Sequence, residues 1–246
     1  MTPRLSVNVN KVATLRNSRG GRLPAVTDAV LVCLEAGAPG ITVHPRADAR
    51  HITTEDVRDI ARLLAPLGGA VEYNIEGDPR PDLIALVHEV TPQQCTLVPV
   101  LPGEITSQAG WPSSTPTAAL ARVIAEMRAA GIRVSLFVDP VPDMADWAHD
   151  LGADRVELYT EPFARAFERG EGARAFAGYA AAASRAHALG LGVNAGHDLD
   201  LANLVLFRTL PHLDEVSIGH ALMGHALFVG LRQAVLDYRR AVEGTA

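Results

Sequence analysis

Four times the chain runs from a helix-forming segment through a glycine into a short β-branched run: "EAGAPGITV", "RAAGIRVSL", "DLGADRVEL" and "ALGLGVNAG". Glycine after a helix supplies the left-handed cap that turns the chain back, and the residues behind it favour a strand. Repetition of that phrase specifies parallel strands joined by helical crossovers. Extended along the chain, the pattern predicts eight strands: Leu5 to Val9, Gly40 to Val43, Ala70 to Ile75, Gln94 to Val98, Arg133 to Val138, Arg155 to Leu158, Gly192 to Ala195 and Glu215 to Ile218. Helices are predicted over 24–36, 54–66, 80–90, 115–130, 142–151, 173–189, 199–208 and 222–241. Eight of each in 246 residues predicts an α/β chain folded as one (β/α)8 TIM-type barrel over 1–246, a usual length for that fold. The first strand is not followed by a "GxGxxG" fingerprint, which counts against a dinucleotide-binding sheet.

Composition narrows the partners. With 48% hydrophobic and 20% charged residues and a net charge of −6, the chain lacks the basic footprint that nucleic acid or an anionic membrane surface selects. Its apolar runs stay short of the roughly 18 to 20 residues that cross a bilayer, and "MTPRLSVNVN" has no signal-peptide layout. A cytoplasmic protein acting on small molecules is the expectation. The two cysteines, Cys33 and Cys95, sit singly in apolar segments, so both are read as buried thiols without a disulfide or zinc role.

The candidate site follows from the fold. In a (β/α)8 barrel, catalytic groups collect where the strands' C-terminal ends and the following loops converge. Strand one ends in Asn8, Asn10 and Lys11; strand two in His44 and Arg46; strand three in Glu76. Strand six carries Glu157 and Tyr159, strand seven ends in Asn194 and His197, and strand eight in Gly219 and His220. Histidines and glutamates gathered at one end suit proton transfers near neutral pH. A metal site is disfavoured, because no HxH or HExxH pattern occurs and Arg46 and Lys11 bring positive charge to the same mouth. Those cations, Arg19 in "RNSRGG" and the helix starts after strands seven and eight suit phosphate instead. A Ser/His/Asp nucleophile finds no support, since no GxSxG elbow is present. Two loops, "PVLPGEITSQAGWPSSTPT" and "TEPFARAFERGEG", are long enough to serve as lids or binding segments. Asp48 and Arg50 read as a solvated loop.

The segments "SVNVNKVATLRNSRGG", "GITVHPRADARHIT", "NIEG", "TLVP" with "EITSQAGW", "VSLFVD", "VELYTEP", "NAGHDL" and "EVSIGHALMGHAL" together resemble, in order and across nearly the whole chain, the pyridoxine 5'-phosphate synthase family. The resemblance implies a barrel that condenses 3-amino-2-oxopropyl phosphate with 1-deoxy-D-xylulose 5-phosphate, giving pyridoxine 5'-phosphate, phosphate and water, without metal or organic cofactor. It implies that His44 and Glu76 are general bases, His197 a general acid and Glu157 a transition-state stabiliser. It places Asn8, Arg19, Gly219 and His220 on the amino-ketone phosphate, and Arg46, His51 and Thr106 on the deoxyxylulose phosphate. "VEYNIEG" also offers Glu72, ranked second because it lies further from the strand's C-terminal end, and Ser107 is the neighbour candidate to Thr106. Many family members have Asp-His where this chain has Asn10 and Lys11, and glycine in place of Asp198, so substrate contacts at Asn10, Lys11 and Asp198 are read as subtype variation. The family forms dimers and larger oligomers, commonly octamers, which implies a homo-oligomer. The rival readings are a barrel lyase or isomerase acting on another phosphorylated ketose, and a catalytically silent ligand-binding barrel.

Overall fold

In strand after strand, apolar residues alternate with polar or small ones: Arg-Leu-Ser-Val-Asn, Glu-Tyr-Asn-Ile-Glu, Arg-Val-Glu-Leu-Tyr, Gly-Val-Asn-Ala-Gly. Successive side chains of a strand point to opposite faces, so one face of this sheet is apolar and the other polar. The computed structural model, which describes residues 2–100 and 107–245, closes eight parallel strands into a barrel in chain order. They are β1 (Arg4–Asn8), β2 (Gly40–Val43), β3 (Glu72–Gly77), β4 (Gln94–Leu97), β5 (Arg133–Val138), β6 (Arg155–Tyr159), β7 (Gly192–Gly196) and β8 (Leu213–Ile218). Val7 lies beside Ile41 of β2 on one side and Ile218 of β8 on the other, which closes the ring.

Around it lie α1 (Asn10–Asn17), α2 (Val26–Glu35), α3 (Thr54–Leu64), α4 (Pro81–Val90), α5 (Thr117–Ala129) and α6 (Pro142–Asp150). Then come α7 (Glu161–Glu168), α8 (Gly172–Ala188), α9 (Leu204–Phe207), α10 (His220–Val229) and α11 (Leu231–Glu243). The apolar strand residues, among them Val7, Ile41, Ile75, Leu136, Val156 and Val216, are fully buried in the core shared with these helices.

The other face fills the barrel with hydrogen-bonding groups, where such barrels more often hold branched apolar side chains. A middle layer joins the hydroxyls of Ser6 and Thr42 at 2.7 Å, the Asn74 amide to Thr42 Oγ1 at 3.3 Å, and the Thr96 hydroxyl to Asn74 Oδ1 at 3.0 Å. Beneath it, toward the strands' N-terminal ends, Arg4 bridges Glu72 and Glu215, Arg133 Nη2 meets Glu72 at 2.7 Å, and Arg155 donates to Asn194 Oδ1 at 2.8 Å. Burying these groups is tolerable because they pair with one another. Glu72 thus belongs to the closed lower end of the barrel, away from the mouth.

Several element boundaries differ from the sequence pattern, each for a local reason. Helix α1 was not expected, because only Ala13 of its eight residues is buried and the apolar period is weak. The segment read as a long loop after strand six contains α7, whose Phe163 is fully buried with its ring centroid 4.9 Å from that of Phe207. The helix expected over 199–208 shrinks to the four residues of α9, because Asp200 Oδ1 accepts the N–H groups of Ala202 and Asn203 and holds the preceding turn. The helix expected over 222–241 is two, broken at Gly230, whose φ is 83°. Strand β3 runs from Glu72 to Gly77, two residues later than expected, and so carries Glu76 within it.

Candidate active site at the barrel mouth

A cavity of about 430 Å³ opens at the C-terminal ends of the strands. The structure brings together Asn8, Asn10, Lys11, His44, Arg46 and His51 from the β1 and β2 ends, with Glu76 and Glu157 on its floor. His197, Asp198, Gly219 and His220 complete the ring from the β7 and β8 ends. Of the other residues singled out, Arg19 is exposed and does not line this cavity, and Thr106 lies outside the described residues. Ser107, the neighbour candidate, is buried and lines the cavity.

The β1 and β2 ends are fixed by amide side chains. Asn8 Oδ1 accepts the Asn10 N–H at 3.1 Å, and Asn10 Oδ1 accepts the His44 N–H at 2.9 Å. Asn10 therefore sets the position of His44 through its backbone. Beyond them the loop from His44 to Thr53 is tied down: Asn17 Nδ2 donates to the His51 carbonyl at 2.8 Å, and Thr53 and Asp56 form a capping box at the start of α3. Arg16 then pairs with Asp56 and holds α1 against α3. Arg50, read from sequence as solvated, pairs with Asp48 and also lines the cavity.

On the floor, His44 Nδ1 lies 3.8 Å from Glu76 Oε2, and Asn8 Nδ2 reaches the same oxygen at 3.5 Å. Both are beyond the ordinary hydrogen-bond range. Burial, reinforced by His51 and Arg46, pushes the His44 imidazole down to about 3. Burial and the nearby Glu157 carboxylate push Glu76 well above the usual carboxylate range, and burial lifts Glu157 to about 7 against the opposing pull of His197 and Thr96. At neutral pH His44 is a neutral imidazole, and burial favours the protonated form of Glu76. His44 Nε2, buried, has no hydrogen-bond partner among the described residues. Desolvation of this kind is how a site obtains bases and acids that work near pH 7.

His51 is likewise held neutral, its imidazole pushed down to about 4 by burial and by the charges of Arg46 and Lys11. Its Nδ1 accepts the Ile52 N–H at 3.0 Å, so the neutral ring carries its proton on Nε2 and can donate to an anion. At the β7 end, His197 and Asp198 both adopt positive φ, 93° and 57°. The Thr160 hydroxyl donates to the His197 carbonyl and Asn203 Nδ2 to the Asp198 carbonyl at 3.1 Å, holding this uncommon turn. Asp198 Oδ2 lies 3.6 Å from His197 Nδ1, and the proximity of His197 keeps the Asp198 carboxyl below its ordinary value.

Sequence reasoning passed over the apolar side of the cavity. Val98 and Phe137 line it, and the Phe137 ring meets Tyr159, which in turn stands edge-on to His197, both at 5.4 Å between centroids. Strand alternation was the available clue, since Phe137 follows Arg133 and Ser135 on the inward face. At the β8 end, α10 starts at His220 with no side chain capping its first turn among the described residues, leaving its N–H groups at the cavity edge for an anion.

Comparison with known proteins identifies the family. Residues 5–244 match the family described as "Pyridoxal phosphate biosynthesis protein PdxJ". The chain is 50% identical over 237 residues to a pyridoxine 5'-phosphate synthase of Porphyromonas gingivalis, covering 96% of this chain and 97% of the relative. It is 50% identical over 241 residues to another of that name from Cytophaga hutchinsonii, covering 98% and 99%. Among solved structures, 3-keto-L-gulonate-6-phosphate decarboxylase from Vibrio cholerae superposes with a TM-score of 0.63 at 14% identity over the whole of both chains, a likeness of fold alone.

Proposed function

Because the chain belongs to the PdxJ family of pyridoxal phosphate biosynthesis proteins, we propose that it is an enzyme that joins 3-amino-2-oxopropyl phosphate to 1-deoxy-D-xylulose 5-phosphate, releasing phosphate and water as pyridoxine 5'-phosphate forms. The observation that carries this reading is the neutral His44, whose buried Nε2 has no partner among the described residues, set 3.8 Å from Glu76, whose carboxyl burial pushes up. Building an aromatic ring from an aminoketone and a ketose requires imine formation, enolisation, two eliminations and ring closure, each moving a proton at a fixed place. His44 accepts the first of these protons. Glu76 gives up its proton before it serves as a base, and the substrate's amino group, as a cation, favours the resulting carboxylate. His197, oriented by Thr160 and flanked by Asp198, donates to the leaving oxygen. Glu157 stabilises charge that develops on the ring atoms above it.

Two phosphates need two anion sites. Arg46 and the Nε2 donor of His51 suit the deoxyxylulose phosphate, and the start of α10 with Asn8, Gly219 and His220 suits the amino-ketone phosphate. Lys11 lines the mouth between them. Arg19, exposed and outside the cavity, reaches neither group unless its loop or another subunit moves it inward. Homo-oligomer formation, dimeric or larger, is part of the same reading, supported by the exposed Leu227 and Phe228 on α10; sedimentation velocity checks it.

Incubating the protein with both phosphates and following pyridoxine 5'-phosphate by mass spectrometry tests the reaction. Product with both, and no turnover of either alone, supports the synthase. Consumption of a single ketose phosphate identifies a lyase or isomerase instead, and binding without turnover identifies a silent barrel.

A further inference from the structure

Alternation along β6 turns Arg155, Glu157 and Tyr159 to the inside of the barrel. Tyr159, the last of them, stands edge-on to the His197 imidazole, with 5.4 Å between ring centroids and 73° between planes. Phe137 of β5 backs it at 5.4 Å. With Val98 these two rings form an apolar cluster of their own, apart from the main core, so the Tyr159 ring belongs to the barrel mouth and not to the packing of helices on strands. Tyr159 is buried and is not among the described residues that line the cavity. What it meets there is His197.

The ring's seat is fixed from behind. Tyr179 of α8 donates its hydroxyl to the Tyr159 carbonyl at 2.7 Å, and Tyr179 is itself buried, with its ring 5.8 Å from Phe163 and 5.5 Å from Phe207. Tyr159 lies beside Gly196 in the β6–β7 register, and the next N–H, that of Thr160, donates to the Gly196 carbonyl at 3.0 Å. Those bonds, like the Thr160 hydroxyl on the His197 carbonyl, hold main chain. Asp198 Oδ2, 3.6 Å from Nδ1, is beyond hydrogen-bond range and does not by itself fix the plane of the imidazole. Orientation about the side-chain torsions needs a contact with the ring, and edge-on packing supplies one. We propose that Tyr159 is a positioning residue for His197: its ring selects the imidazole orientation that presents the acid to the substrate. The contact is one of ring shape, and the tyrosine hydroxyl takes no part in it. A pair of this kind favours the seated orientation by about 2- to 10-fold.

The kinetic consequence rests on the synthase reading, but the position of the imidazole does not, because it is read in unliganded protein. Crystal structures of the parent, Tyr159→Phe and Tyr159→Leu measure it directly. A single imidazole orientation is expected in the parent and in Tyr159→Phe. In Tyr159→Leu the imidazole is expected in several orientations or in a new one. With both phosphates supplied, Tyr159→Leu is expected to lower kcat about 2- to 10-fold and leave KM for either unchanged, while Tyr159→Phe matches the parent. If Tyr159→Leu does not fold, Tyr159→Met, which fills the space with a flexible chain, takes its place. If neither folds, Tyr159→Phe decides alone: a parental imidazole supports the proposal and a displaced one overturns it. An imidazole in Tyr159→Leu that superposes on the parent's overturns it whether or not pyridoxine 5'-phosphate is made. Equal losses in Tyr159→Phe and Tyr159→Leu also overturn it, by assigning the effect to the hydroxyl. A parent that makes no product, with the imidazole displaced only in Tyr159→Leu, defeats the synthase reading and leaves the positioning role standing.

Discussion

His44 Nδ1 and Glu76 Oε2 stand 3.8 Å apart in the floor of the barrel mouth, close enough to sense one another and too far for a hydrogen bond. Burial drives the two in opposite directions, the imidazole down to about 3 and the carboxyl well up, so it opposes an ion pair between them. His44→Asn and Glu76→Gln preserve shape and remove the proton function. Each is expected to lower kcat by about 10²- to 10⁴-fold, the usual worth of a positioned acid or base. Thermal melting within a few degrees of the parent separates this from unfolding, and normal turnover in both variants removes them from the mechanism.

Gly196 is the floor on which Glu157 rests: a Cβ built there collides with Glu157 Oε1 and comes to 3.3 Å from the Ser217 carbonyl. Neither neighbour can give easily, one being buried carboxylate and the other strand backbone. Gly196→Ala is expected to push the Glu157 carboxyl out of place and lower kcat at least tenfold, with a smaller change in KM for either phosphate. Steady-state kinetics with each substrate varied in turn provide the check. Equal loss in both parameters would mean that the mutation distorts the whole mouth.

How much of this was legible beforehand is best judged from particular residues. The helix-glycine-strand phrases declared the barrel, because the cap glycine and the strand behind it are local chemistry, and with the fold known, His44, Glu76, Glu157 and His197 had to converge. Asn10 was visible as a polar residue at the end of strand one and as a departure from the family pattern; that its side chain carries the His44 backbone depends on α1 starting where it does, and nothing in its apolar period announced that helix. The polar barrel interior was written in the strand alternation, but parallel strands buried on both faces are expected to read as apolar runs, which hid the Ser6, Thr42, Asn74 and Thr96 layer. Arg19 was read as a phosphate ligand from its glycine-bounded motif and the family likeness; its position past the end of α1 leaves it exposed and outside the cavity, which the motif alone does not reveal.

The His197 turn costs free energy that its neighbours must offset. A histidine at a φ of 93° is off the favoured regions, a strain of roughly 1–3 kcal/mol, and the Thr160 hydroxyl holds the His197 carbonyl in that geometry. Thr160 is fully buried, so Thr160→Val keeps the packing and loses the tether. The expected result is a kcat reduced by about tenfold with little change in KM, and recovery in Thr160→Ser. A variant equal to the parent in kcat would show that the neighbouring Asn203 contact suffices to hold the turn.

Two sets of buried groups give stability a definite dependence on pH. Glu215 and Glu157 are raised from 4.5 to about 8 and about 7, each chiefly by burial. Their folded values exceed their unfolded ones, so the stability they contribute is complete below about pH 4.5 and is lost as pH rises to between 7 and 8. His44 and His51 are lowered from 6.5 to about 3 and about 4, again chiefly by burial. Their contribution is complete above about pH 6.5 and is lost as pH falls toward those values. Between about 4.5 and 6.5 the two trends oppose each other, so the melting temperature of the unliganded protein should peak in that interval and decline on both sides. Glu215→Gln places a permanently neutral group at the base of the barrel, far from the mouth. It is expected to flatten the decline between pH 6.5 and 8 while leaving the acid side unchanged, and calorimetry of the two proteins across pH 4 to 9 measures it. An alkaline decline as steep in the variant as in the parent would mean that Glu215 is already ionised in the fold, shared between Arg4 and Arg155.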